Sequence, residues 1–299
     1  MNLLDSVGSI ADCELLLGQD LTAYTTIRLV SRGDLLIVRS VEALEKILPL
    51  LTAHGREYLL VGWGANQILP PVCDKLVINL KFPFEQTYLD MHKTEYVLPA
   101  SLGINHLTAH AIKFGLSGWE VFTGIPASLG GAIYMNAGTN LGEIGGLVKS
   151  VSVVTAEGSR REVSIGEGSF SYRRNNFLNP GDVIVAATLV HRGVDPEISK
   201  KIMDYLEYRK KTQPLATKNC GCVFKNPLPE LQAGRLIDSL GLKGLTVGNV
   251  RVSPRHANFV EHLGGSSWDD LNTLIKIIKF QMDHFYGIEF ELEVKIPYD

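Results

Sequence analysis

The chain is 299 residues long and carries 29 Lys+Arg against 32 Asp+Glu, a formal net charge of −3, with 45% hydrophobic and 20% charged residues. This balance can bury a sizeable core, which excludes a disordered or fibrous chain. With no net positive charge and no long basic run, it also argues against a non-specific nucleic-acid binder. At roughly 150 residues per domain, the length predicts two domains.

No apolar run approaches the roughly 18 residues of a membrane span; 183–190 is typical of the longest. Arg28 is the first basic residue, and Asp5, Asp12 and Glu14 precede it, so no signal peptide is expected. Cys13, Cys73, Cys220 and Cys222 do not make a disulfide framework at this length. The expectation is a soluble cytoplasmic protein without membrane insertion.

In chain order, 41–54 has helical spacing, with Leu44, Ile47, Leu48 and Leu51 on one face and Gly55 as its stop. A buried strand at 58–61 runs into Gly62-Trp63-Gly64-Ala65-Asn66. Further strands are predicted at 76–80 and 95–98, and a helix at 105–114 ends at Gly115. Strand-like runs at 148–155 and 183–191 flank an irregular middle. A helix over 198–211, with Ile202, Tyr205 and Leu206 inward and a cationic end, lies between Pro196 and Pro214, which makes 192–197 a candidate domain boundary. Two more helices are predicted near 232–240 and 268–285. Phe290, Leu292, Val294 and Ile296 then alternate with Glu289, Glu291, Glu293 and Lys295 as a one-sided strand. Strands and helices mixed without regular alternation indicate α+β.

The composition departs from the ordinary in glycine, with 29 of 299 residues against a typical share of about 7%. Two clusters stand out. Gly62 and Gly64, directly after a strand, can point backbone N–H groups into a phosphate-holding concavity; an ordinary strand-to-loop turn fits equally. No third glycine follows at dinucleotide-fingerprint spacing. The second cluster, 115–138, sets Gly115, Gly118, Gly124, Gly130, Gly131 and Gly138 among large apolar residues, with Ser128 and Asn136 as hydrogen-bonding groups. A tight core is the bland explanation, and the glycine density favours a bound cofactor.

The run 115–144 resembles, almost position for position, the most characteristic segment of the UDP-N-acetylenolpyruvoylglucosamine reductase family, flavoenzymes of peptidoglycan precursor synthesis. Tyr24-Thr-Thr-Ile-Arg28, Phe170-Ser-Tyr-Arg173, Gly221-Cys-Val-Phe-Lys-Asn-Pro227, Gly241-Leu-Lys-Gly244, Val252-Ser-Pro-Arg-His-Ala-Asn-Phe259 and 287–294 extend the resemblance from about residue 20 to the C-terminal end. It implies an FAD-binding domain of the para-cresol methylhydroxylase type over 1–195, in subdomains of roughly 1–82 and 83–195, then an α+β substrate-binding domain over 196–299. It also implies non-covalent FAD reduced by NADPH, hydride transfer to carbon 3 of UDP-N-acetylglucosamine enolpyruvate and protonation of carbon 2, giving UDP-N-acetylmuramate. The length looks like the shorter branch of the family.

Adding hydride to carbon 3 drives charge toward the substrate carboxylate, so the site needs a cation for that charge and a proton donor. The resemblance places Arg173, Cys222 and Glu293 at the catalytic positions. Arg173 suits a two-pronged hold on a carboxylate, although a surface ion pair would explain it by itself. Glu293 comes from the resemblance alone, since its alternation reads as a solvated face; its carboxyl either donates a hydrogen bond when protonated or orients a neighbour when ionised. Cys222 stands where the family usually has serine, and a thiol, with an ordinary pKa of about 8.5, is a readier proton donor than an alcohol. A structural pair with Cys220 would be strained, and no second Cys/His pair has zinc spacing, so no metal is expected.

The cofactor contacts implied are Gly62, Trp63, Gly64, Ala65, Asn66, Gly124, Ile125, Pro126, Ser128, Gly130, Gly131, Asn136, Ala137 and Gly138. Tyr172, Lys225 and Asn226 are the implied substrate contacts. Val30-Ser31, Ala65, Asn175 and His262 depart from the family pattern. The competing reading is an FAD-dependent oxidase of a sugar or hydroxy acid on the same flavin domain.

Overall fold

The Ser40 side chain accepts a hydrogen bond from the Ala43 backbone and so starts the first long helix, Val41–Ala53. Gly55, at φ +59, follows its end. In the computed structural model, which describes residues 3–297, this helix buries Leu44, Ile47, Leu48 and Leu51. They share a core with Leu36, Val38, Leu76 and Ile78 of one sheet and Val154, Val183 and Val185 of another. The first sheet has the order Cys13–Asp20, Arg32–Val38, Val72–Leu80, Tyr58–Leu60, and its last two strands are parallel. The second sheet runs Glu95–Pro99, Val183–Val190, Val148–Val154, Arg160–Ser164, antiparallel throughout. Below it, Tyr96, Trp119, Phe122, Ile133 and Leu189 form a second core, and the Trp119 indole donates to the Val190 carbonyl at 2.9 Å.

Apart from 18–20, 32–33 and 72–74 at the ends of three strands of the first sheet, these elements belong to one compact unit: residues up to Leu17, Asp34–Gly62 and Lys75–Glu207. A second unit comprises Gly18–Gly33, Trp63–Asp74 and the chain from Tyr208 onward. The second unit is therefore not simply the C-terminal third: Ile27, Leu29 and Ile68 sit in one core with Phe224, Val260, Leu274, Phe290 and Val294. Its antiparallel sheet has the order Lys218–Cys222, Phe259–His262, Val250–Val252, Thr246–Val247. The helix Trp268–Tyr286 packs on it through Leu271, Leu274, Ile275, Ile278 and Met282. A reciprocal Ser267–Asp270 capping box begins that helix and Gly287, at φ +63, ends it.

The last segment departs from the predicted ladder. Phe290 and Val294 are buried and Glu289, Glu291 and Lys295 exposed, as the alternation requires. Yet only isolated bridges form, Leu292 with Phe224 and Lys295 with Gln67. Its backbone is shared between two short neighbours: Lys225 and Glu293 bond to one side and Ile68 and Lys295 to the other, too few contacts for a continuous strand.

Candidate active site

The glycine loop after Tyr58–Leu60 is braced from behind. Asn79, 2% exposed, donates from Nδ2 to the carbonyls of Val61 at 2.5 Å and Gly62 at 3.2 Å, while its buried Oδ1 has no protein partner. A Cβ at Gly62 would collide with Ser128 Oγ. That hydroxyl accepts from the Gly131 N–H at the start of the helix Leu129–Tyr134. Gly130 lies so close to Ala100 that a Cβ there would stand 2.8 Å from the alanine methyl. Both ends of this glycine system thus hold backbone where side chains cannot go, and Gly62 and Trp63 face outward.

In the second unit, Gly64 has φ +63, and a Cβ on it would fall onto the Tyr24 carbonyl. Its own carbonyl accepts from Thr26 N at 3.1 Å, and the Thr26 hydroxyl donates to the Asn219 carbonyl at 2.6 Å. The Tyr24–Arg28 motif therefore ties the Gly64 loop to the strand that carries Cys222. Asn66 completes the tie: its Nδ2 donates to the Glu293 carbonyl at 3.1 Å, and its carbonyl accepts from Lys295 N at 2.9 Å.

Cys222 and Glu293 are brought together by backbone. Glu293 N–H donates to the Val223 carbonyl at 2.8 Å, one residue past the cysteine. Within Lys218–Cys222 the pairing shifts between Asn219 and Cys222. Gly221 sits there at φ +75, with its N–H on Asn219 Oδ1 at 3.0 Å. An extra residue at left-handed φ bends a strand and re-aims the next side chain, which here is Cys222. Both Cys222 and Glu293 are half-buried, whereas Glu289 and Glu291 are exposed. Lys225 Nζ rests on Glu291 at 2.7 Å, and that lysine holds the Glu291 carboxyl below its ordinary range. The Asn226 Oδ1 caps the helix Ala233–Ser239 by accepting from Ala233 N.

Arg173 belongs to the first unit. The two-residue turn 172–173 joins Phe170–Ser171 to Arg174–Asn175, and Arg173 adopts φ +56. Its Nη2 donates to the Gly138 carbonyl at 3.1 Å, its Nη1 lies 3.8 Å from Glu143, and the guanidinium sits 5.0 Å from the centre of the Tyr172 ring. Asn136, at φ +43 and 1% exposed, donates to Glu143 at 2.7 Å and to the Ser171 carbonyl at 3.1 Å. Its Oδ1 accepts from Gly145 N. The Asn136 side chain thus faces protein, although the glycine-rich segment suggested a cofactor contact. Sequence reasoning missed Glu143 and Asn79; Glu143 lay inside the matched 115–144 run, but nothing in its spacing linked it to Arg173. His262 fills its departure from the pattern by a ring contact, Nδ1 to the Ile27 carbonyl, at 2.9 Å.

Among the described residues, no three His, Cys, Asp or Glu side chains are placed to hold a metal ion, and no helix is long and apolar enough to cross a membrane.

A family model described as an FAD binding domain matches residues 35–164. A second, described as the UDP-N-acetylenolpyruvoylglucosamine reductase C-terminal domain, matches 213–297. Fold and matches together define an FAD-binding oxidoreductase of α+β class with a dedicated C-terminal domain. A UDP-N-acetylenolpyruvoylglucosamine reductase of Myxococcus xanthus is 36% identical over 97% of this chain and 94% of its own length. One of Bacillus pumilus is 31% identical over 95% and 94%. The crystal structure of the reductase from Thermus caldophilus superposes with a TM-score of 0.78, at 31% identity over 95% of this chain and 98% of that one. This chain belongs to the UDP-N-acetylenolpyruvoylglucosamine reductase family.

Proposed function

We propose that this chain reduces UDP-N-acetylglucosamine enolpyruvate to UDP-N-acetylmuramate, with NADPH as reductant, as a cytoplasmic step of peptidoglycan precursor synthesis. The observation that carries the reading is the junction of Cys222, Glu293 and the Gly64–Asn66 loop. A thiol, a carboxyl group and a flavin-loop candidate are held there by four backbone segments whose sequence order gives no hint of adjacency.

The residues fit FAD: backbone at 62–66 and 128–131 is braced from behind by Asn79, Thr26 and Ser128, with the Asn79 Oδ1 buried and unpartnered beside Gly62. Gly62 to Asn66, Gly124 to Pro126, Ser128, Gly130, Gly131, Ala137 and Gly138 would hold it. When bound and reduced, FAD supplies the hydride that adds to carbon 3. Arg173 grips the substrate carboxylate, and its fixed charge offsets the negative charge that grows there as electrons move from the double bond. Cys222 Sγ gives its proton to carbon 2. Glu293 serves the same charge-bearing end, donating a hydrogen bond to it when protonated or orienting a neighbour when ionised, while Tyr172, Lys225 and Asn226 contact the UDP-sugar. Lys225 exchanges its Glu291 partner for a substrate phosphate. The proposed functional division gives 1–195 to FAD, Arg173 and Tyr172 excepted, and 196–299 to substrate. The oxidase reading is not favoured, because the match over 213–297 is to a reductase domain.

The test is anaerobic. NADPH should bleach the flavin, and UDP-N-acetylglucosamine enolpyruvate should then restore its oxidised absorbance with one equivalent of UDP-N-acetylmuramate formed. Reduced flavin that persists in excess substrate overturns the proposal.

A further inference from the structure

Glu143 lies outside every role assigned above, yet its exposed carboxylate faces both Arg173 and the buried amide of Asn136, whose own carbonyl accepts from Arg173 Nη1 at 3.5 Å. One carboxylate oxygen accepts from Asn136 Nδ2 at 2.7 Å and the other stands 3.8 Å from Arg173 Nη1. The Glu143 backbone pairs with Gly138, whose carbonyl takes the Arg173 Nη2 hydrogen bond at 3.1 Å. Asn136 is in turn fixed on three sides, by Glu143, by the Ser171 carbonyl and by Gly145 N–H. Ser171 begins the turn that carries Arg173. The contacts close a ring: Arg173 to Glu143, Glu143 to Asn136, Asn136 to Ser171, and back along the chain to Arg173.

An ordinary surface ion pair needs none of this. Here an amide that is 1% exposed spends its donors on a carboxylate and a carbonyl, in a residue held at left-handed φ. Buried amides used in this way fix geometry, because losing one partner strands the others. We propose that Glu143 is a positioning residue for Arg173, holding the guanidinium where the substrate carboxylate meets it; this rests on the reaction proposed above. A carboxylate beside the guanidinium also opposes a second carboxylate in the ground state. Removing its charge should therefore leave substrate binding unchanged or tighter while misplacing the group that stabilises the intermediate.

Glu143→Gln keeps an oxygen for Asn136 and removes the charge. In the flavin-loaded protein, we expect wild-type flavin content per chain and a substrate dissociation constant, from perturbation of the oxidised flavin spectrum, equal to or below the wild-type value. Single-turnover reoxidation by saturating substrate should slow about tenfold or more. Combined with Arg173→Lys, it should add little to the loss caused by Arg173→Lys alone, because the two act as one unit. A wild-type reoxidation rate overturns the inference, as does a loss of flavin or affinity in proportion to rate, or losses that multiply in the double variant. Should Glu143→Gln not accumulate folded, Glu143→Asp, which retracts the charge by one methylene, is read by the same criteria. Substrate binding without reoxidation in the wild type overturns the reaction itself, whereas failure confined to the variants overturns only the role of Glu143.

Discussion

At the scale of the residue, Cys222 has a chemistry that its neighbour Cys220 lacks. Cys220 is 1% exposed and burial pushes its thiol up to about 12, so it stays protonated and inert to oxidants and electrophiles. Cys222, one bulge residue further on, is half-buried and turned by Gly221. Replacing it with alanine should leave bleaching of the flavin by NADPH intact and slow reoxidation by substrate at least about 100-fold, the usual share of a positioned general acid. Stopped-flow absorbance separates the two half-reactions, and turnover that survives removes the thiol from the mechanism. The thiol also carries a liability: hydrogen peroxide should inactivate the native protein but not Cys222→Ser, since only a thiol climbs the oxidation ladder. The family resemblance offered Cys222 and Arg173, but not Glu143 or Asn79, whose parts arise from contacts between segments with no recognisable spacing.

At the scale of the element, the helices were the legible part. The predicted 41–54, 198–211 and 268–285 appear as Val41–Ala53, Ile198–Thr212 and Trp268–Tyr286, because a 3.6-residue apolar period and cap residues are local signals. Local signals could not show that 290–296 divides its hydrogen bonds between two partners, nor that Gly221 interrupts a strand. The two loop glycines make different demands that substitution can separate. A Cβ at Gly221 meets only the Ala65 carbonyl, at 3.8 Å, so Gly221→Ala bears the left-handed strain alone, about 1–2 kcal/mol. Its larger effect should be on reoxidation by substrate, through a misdirected Cys222. Gly64→Ala adds to the same strain a collision with the Tyr24 backbone and should cost more than about 2 kcal/mol. Thermal melts should therefore rank Gly64→Ala well below Gly221→Ala, with flavin content falling in the former. Equal melting temperatures would show that the loop relaxes away from Tyr24.

For the whole molecule, the arithmetic of length predicted two domains but not that segments 18–33 and 63–74 would contribute to the same core as the C-terminal residues. Hydrophobic pattern marks which residues are buried and says nothing of which distant partner buries them. Each unit also encloses a histidine whose basicity is lowered mainly by burial, His110 in the first and His256 in the second. The Tyr96 hydroxyl accepts from Lys93 N at 2.9 Å and pairs with His110 Nε2, also at 2.9 Å. With folded values below the ordinary 6.5, the unfolded chain binds more protons in the acid range. The stability from keeping these rings neutral is therefore complete above about pH 6.5 and is lost as the pH falls below it. Melting temperature should drop between pH 7.5 and pH 5. His110→Phe, whose ring the surrounding Tyr96, Phe114 and Trp119 can accommodate, should melt lower than wild type at pH 7.5, having lost the Tyr96 bond, yet decline less on acidification. Parallel slopes for wild type and variant, measured by calorimetry across that range, would show that His110 does not protonate on unfolding and that the acid sensitivity arises elsewhere.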